Sequence, residues 1–165
     1  MKKTLLFPFV LYVVLSSWVF GHCQVPCGIY DDAMRIHQIN EHIATINKAM
    51  VQINALSDDK NSALNNNQLV RWINTKEKHA TLIQDIISDY FLTQRIKFKK
   101  EDDPDRKKYV LLTTTLQQML VAAMKCKQTV DPENTIHLSE LTGLFAGRYF
   151  DKHGLEHLLD LEHRK

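Results

Sequence analysis

The stretch His22-Cys23-Gln24-Val25-Pro26-Cys27-Gly28-Ile29-Tyr30 brings two thiols, an imidazole and a phenol into one short run. If His22 is the first residue of the working chain, it offers a free α-amine as well as its imidazole. An α-amine has a reference pKa near ~7.7–8.0, so a metal displaces its proton readily. The His22 amine, the Cys23 amide nitrogen and the Cys23 sulfur can close two chelate rings. Cys27 adds a second thiolate after a turn at Pro26, which completes a planar set of two nitrogens and two sulfurs. Such a set suits Ni(II) or Cu(II), whereas zinc takes tetrahedral sites. The His22 imidazole could cap an axial position. The same C-x3-C pair also fits a short disulfide in an exported chain, a thiol redox motif with one residue more than the usual C-x2-C, or an incidental pair near a terminus.

Residues 1–21 are expected to expose that amine. Met1-Lys2-Lys3-Thr4 is basic, Leu5 to Phe20 is an apolar run containing Pro8 and Ser16-Ser17, and Val19 and Gly21 suit the −3 and −1 positions of a cut. This is the pattern of a secretory signal peptide, and the run is shorter than the ~20 apolar residues that span a bilayer. Cleavage after Gly21 leaves His22 first and an exported protein, periplasmic or extracellular. A retained leader would make the chain membrane-anchored instead. A lipoprotein is disfavoured because His22, not a small residue, precedes Cys23. The expected divisions are a leader at 1–21, a hook at 22–30 and a helical domain at 31–165.

The elements that must position the hook follow from the remaining sequence. The chain has 165 residues, 44% apolar and 24% charged, as expected of one soluble globular domain. Five Gly and four Pro are too few for a turn-rich sandwich, a collagen or a disordered linker, and three Cys are too few for a disulfide scaffold. Lys plus Arg number 21 and Asp plus Glu 19. The leader holds Lys2, Lys3 and no acid, so the residues after it carry 19 of each sign. That balance argues against nucleic acid as a partner.

Four helices are expected. Ile36, Ile39, Ile43, Ile46, Met50 and Ile53 recur at alternating spacings of three and four, one apolar stripe on a helix opened by Asp31 and Asp32. Ser57 to Asn67 reads as a loop. A second helix runs from about Gln68 to Lys97, with Leu69, Trp72, Ile73, Ala80, Ile83, Ile87, Tyr90 and Phe91 on its buried face. Lys99 to Pro104 is a charged breaker. A third, from about Arg106 to Lys127, buries Tyr109, Leu112, Leu116, Met119, Ala123 and Cys126. Asp131-Pro132-Glu133 caps a fourth helix with Leu138, Leu141, Leu144, Phe145 and Phe150, which breaks near Gly154 and ends in a charged, solvated tail. The fold class is therefore all-α, an antiparallel up-down-up-down four-helix bundle with an N-terminal metal-binding hook. Gly143 and Gly147, four apart, fit either a close helix approach or small residues in a packed helix.

His22-Cys23-x-x-Pro26-Cys27-Gly28-x-Tyr30 resembles the nickel hook of nickel-dependent superoxide dismutases. Asp89-Tyr90-Phe91 is similar to the Asp-Tyr-Phe triplet late in that family's second helix, and helix number and length agree over residues 22–165. The resemblance implies one nickel ion per chain, superoxide as substrate and a homohexamer, with no membrane contact once the leader is cut. It implies that His22 gives its amine and, when oxidised, its imidazole; that Cys23 gives its amide nitrogen and thiolate; and that Cys27 gives the second thiolate. Pro26 resembles the family's cis proline that shapes the hook. Tyr30 and Tyr90 resemble the two tyrosines beside the open face of the metal, whose O–H groups, with backbone N–H groups, would hold the anion and organise a proton.

Family members can carry Asp where this chain has Gln24, so that side chain is not assigned a role. Some place a Glu and an Arg from the first two helices against the His imidazole. The register differs here, so no Glu is assigned, and His79 near the Arg position reads as a partly solvated helix residue. The remaining histidines show no joint ligand pattern, Glu156-His157 and Glu162-His163 read as solvated tail, and Cys126 reads as a buried structural thiol. Two rival functions share the same features: a non-catalytic nickel or copper binding module, and a membrane-tethered helical interaction domain with an uncleaved leader.

Overall fold

The computed structural model describes residues 31–57 and 62–163. The leader and the hook, with His22, Cys23, Cys27 and Tyr30, lie outside the described residues. Within them the chain is helical and holds no strand: α1 is Asp32–Ser57, α2 Ala63–Asp85, continued by a wider turn over Ile86–Arg95, α3 Arg106–Gln128, α4 Glu133–Tyr149 and α5 Lys152–His163. Helix α1 packs on α2 and α4, and α3 packs on the same two, so the four run antiparallel around one core. The expected up-down-up-down bundle is present. Among the described residues no helix is long and apolar enough to cross a membrane.

The stripe on α1 behaves as its spacing dictates: Ile36, Ile39, Ile43, Ile46, Met50 and Ile53 are all buried. Asp31 caps this helix, accepting from the Ala33 amide at 2.8 Å. On the opposite side of the core lie Leu112, Leu116, Met119, Ala123 and Cys126 of α3 and Leu138, Leu141 and Phe145 of α4. Asp131 accepts from the Glu133 amide at 3.0 Å and so opens α4 as its sequence suggests.

Several expectations need correction. Helix α2 begins at Ala63 rather than near Gln68, because Ser62 accepts from the Asn65 amide and caps it inside the polar stretch. Ile73 is 38% exposed and Leu144 43%, so neither belongs to the core. The helix break falls at Phe150, whose backbone is extended, not at Gly154, whose N–H bonds Asp151 Oδ1 at 2.8 Å within the next helix. The charged tail is not solvated coil: Leu155, Leu158 and Leu161 recur at three-residue spacing and pack as α5 against α1 and the core. A Cβ added at Gly143 or Gly147 would meet nothing within 4 Å, so no described helix approaches closely there. Gly143 instead borders a groove of about 620 Å3 between α1, α4 and α5.

The apolar spacing of the second helix predicts ordinary α-helix through its second half. Over Ile86–Arg95 it adopts i→i+5 bonding, visible where the Ile96 amide meets the Phe91 carbonyl at 2.9 Å. Thr93 Oγ1 bonds the Ser88 carbonyl at 2.7 Å and Gln94 Nε2 the Asp89 carbonyl at 2.8 Å, so side chains satisfy acceptors within the wider turn. The wider turn lets the consecutive residues Tyr90 and Phe91 both face the core, where each is essentially fully buried. Such widenings are rare and concentrate at functional sites.

Candidate metal centre

The end of the bundle at which α1 begins is organised by Asp32. This residue lies in the first turn of α1, two positions beyond Tyr30. Its Oδ1 accepts from the Tyr90 hydroxyl. Its Oδ2 accepts from the Tyr149 hydroxyl at 2.6 Å and from the Arg95 guanidinium, at 2.7 Å from one terminal nitrogen and 3.1 Å from Nε. One carboxylate therefore ties together α1, the wide turn that follows α2, and the end of α4. Tyr90 further lies with the guanidinium carbons of Arg35 and Arg95 at 5.3 and 5.6 Å from its ring centroid. Phe91, Phe145 and Tyr149 stack and cross beneath it with centroids 5.0–5.6 Å apart.

This geometry sets the titration of the two phenols. Burial and then the Asp32 bond and charge hold the Tyr90 hydroxyl well above its usual range, with Arg95 opposing. The same two causes raise Tyr149 to about 12. The Asp32 bond raises the Arg95 guanidinium in turn. Both tyrosines are thus neutral at any physiological pH, and each gives its single proton to Asp32.

Arg95 and Tyr149 also form one wall of a cleft of about 290 Å3, together with Lys97, Lys99, Lys108 and Tyr109. Asp105 lines the same cleft and lies 3.5 Å from Lys99, which also pairs with Asp103 at 3.3 Å. The lining is nonetheless predominantly cationic.

Of the sequence-expected site residues, Tyr90 alone lies among the described ones. It stands at this end of the bundle, and its O–H points to Asp32 rather than being held ready for an anion. Asp32 was read only as a helix-dipole acid, and nothing in its spacing from Tyr90, Arg95 and Tyr149 marks them as partners. His79 is partly exposed, as the sequence suggests, and its Nδ1 lies 3.0 Å from that of His42, a pairing that no short spacing marks. Glu162 bonds His37 Nδ1 at 3.0 Å and Asn40 at 3.1 Å, and His157 bonds Asp31, so the tail residues are built into the bundle. Cys126 is buried as expected, and burial pushes its thiol up to about 11, which leaves it inert as a ligand.

Among the described residues no group of three or more His, Cys, Asp or Glu side chains could hold a metal ion. The donors expected from the sequence, namely the His22 amine and imidazole, the Cys23 amide and thiolate and the Cys27 thiolate, precede α1 and lie outside the described residues. Their softness and number fit nickel, as thiolate and anionic nitrogen donors stabilise its higher oxidation state. An antiparallel bundle preceded in the sequence by such donors is the architecture expected of a helical metalloprotein. The model of the nickel-containing superoxide dismutase family matches residues 17–153, and the chain belongs to that family. Its activity is superoxide dismutation and its cofactor is nickel. No curated protein and no solved structure matches the chain. Most of α5 lies beyond the matched residues.

Proposed function

We propose that the nickel of this dismutase is held by His22, Cys23 and Cys27 after cleavage at Gly21, with Tyr30 and Tyr90 beside its open face. The observation that carries this reading is the position of Tyr90. Its hydroxyl is bonded to Asp32, two residues beyond Tyr30, so the bundle brings this phenol to the point where the hook joins. The reaction consumes two superoxide ions and two protons and yields oxygen and hydrogen peroxide. Nickel, when bound, supplies the one-electron chemistry between Ni(III) and Ni(II). The chain's own residues orient and enclose. His22, Cys23 and Cys27 would set the electronics, and backbone N–H groups of the hook would hold the anion near the phenols without gripping it.

The basic and apolar pattern of residues 1–21 supports export, and the resemblance of the hook and triplet supports a homohexamer. The thiolates face an oxidant as product, and an oxidising compartment favours a Cys23–Cys27 disulfide, so nickel capture competes with oxidation.

The test is nickel content and dismutation on the mature chain, after N-terminal sequencing has confirmed His22 as its first residue. One nickel per chain with turnover supports the assignment. Cys23→Ser and Cys27→Ser are expected to abolish nickel uptake and activity while helical circular dichroism is unchanged. One residue added before His22 should be nearly as damaging. Nickel retention in both Cys variants would refute the ligand set, and binding without turnover would favour a carrier module.

A further inference from the structure

We infer that Asp32 is the positioning residue for Tyr90: it holds the phenol with its proton turned away from the reacting anion, so that Tyr90 meets the substrate region with its oxygen as an acceptor. This rests on the reading that Tyr90 stands beside the nickel.

The argument is one of donor count. A phenol has a single O–H, and that of Tyr90 is given to Asp32 Oδ1. The ring cannot turn to offer it elsewhere, because it is fully buried, packed edge-on against Phe91 with centroids 5.2 Å apart. Asp32 is itself immobilised, since its other oxygen is engaged by Arg95 at 2.7 Å and Tyr149 at 2.6 Å, and the carboxylate is only 14% exposed. Three elements therefore converge to fix one oxygen atom, which is more than the stability of a helix terminus requires. A held acceptor can receive a hydrogen bond from a hook N–H or from the protonated product. It cannot itself donate to superoxide, so the protons that peroxide needs come from elsewhere than Tyr90. Neutral Tyr90 also places no negative charge in the path of an anionic substrate.

The experiment combines Asp32→Asn, Tyr90→Phe and the double variant on the nickel-loaded mature protein. Nickel content, the dismutation rate constant and tyrosine ionisation by ultraviolet absorbance are read on each. Asp32→Asn is expected to keep its nickel and to lose about tenfold in rate, the scale of a misplaced group near the reaction. Tyr90→Phe is expected to lose a similar factor, and the double variant to lose no more than either. In alkaline titration, Asp32→Asn should lower the pH at which two phenols ionise relative to the parent, with burial still holding them above the ordinary range, and the double variant that of only one. Multiplying losses would overturn the inference, as would nickel loss in Asp32→Asn or unchanged titration. An unchanged rate in Tyr90→Phe would instead overturn the placement of Tyr90 at the site. If Asp32→Asn does not fold, Asp32→Glu takes its place, with the carboxylate kept but displaced. A lowered rate at full nickel content is then expected, and an unchanged rate would refute the inference.

Discussion

Lys76 stands where the register of α2 calls for an apolar side chain, four residues after Trp72 and four before Ala80. It is 4% exposed. Its Nζ donates to the carbonyls of Cys126 at 2.9 Å and Thr129 at 3.1 Å, and to that of Lys127. These are acceptors that the end of α3 leaves without helical partners, so a cation from α2 closes α3 and favourably meets its dipole. Lys76→Met would keep the stem's packing and strand the three carbonyls. The expected cost is about 1–3 kcal/mol in urea unfolding, with the nickel content unchanged. A change under about 0.5 kcal/mol would mean that water satisfies those carbonyls equally well. Neither Lys76 nor Asp32 was legible as a hub, because their partners lie on other helices and share no short spacing with them. The hook can be proposed from sequence for the opposite reason: His22, Cys23 and Cys27 fall within six residues of chain, and chelation is a local property.

At the scale of elements, periodicity foretold α1, α3 and α4 well, since each has one apolar stripe. It failed where polar contacts decide. The end of α5 is held to α1 by Glu162 with His37 and Asn40, and by His157 with Asp31, contacts that composition alone renders as a solvated tail. The α1–α2 seam contains His42 and His79, with ring centroids 4.8 Å apart. Burial first and then His79 lower His42, with Glu41 opposing; burial first and then Lys78 lower His79. Both folded-state values thus lie below the ordinary 6.5 of the unfolded chain. The unfolded state takes up protons first as pH falls, so stability is full above that value and declines below it. The melting temperature is expected to drop between about pH 7 and 5, and His42→Gln with His79→Gln to flatten that part of the curve. A double variant with the parent's slope would place the acid sensitivity elsewhere.

Over the whole molecule, residues 22–165 carry no net formal charge, yet charge is not evenly spread. Arg95, Lys97, Lys99 and Lys108 line one cleft with Asp105; Arg95 pairs with Asp32 and Lys99 with Asp103 and Asp105, so Lys97 and Lys108 carry its excess positive charge. Two groups of its wall, Arg95 and Tyr149, bond the carboxylate that also holds Tyr90. The cationic lining therefore adjoins the end of the bundle where α1 begins. A local positive field of this kind concentrates a small anion even on a neutral protein, and salt screens it over a Debye length of about 8–10 Å. The dismutation rate constant is expected to fall roughly threefold as ionic strength rises from about 0.01 to 0.15 M. Lys97→Glu combined with Lys108→Glu should lower the rate at low salt and remove most of the salt dependence. Nickel content should be unchanged, because neither lysine is among the proposed ligands. Both side chains are solvent-exposed, so the fold should tolerate the reversal. A rate independent of salt in the parent protein, or a salt slope that survives the charge reversal, would show that superoxide reaches the metal without guidance from this cleft.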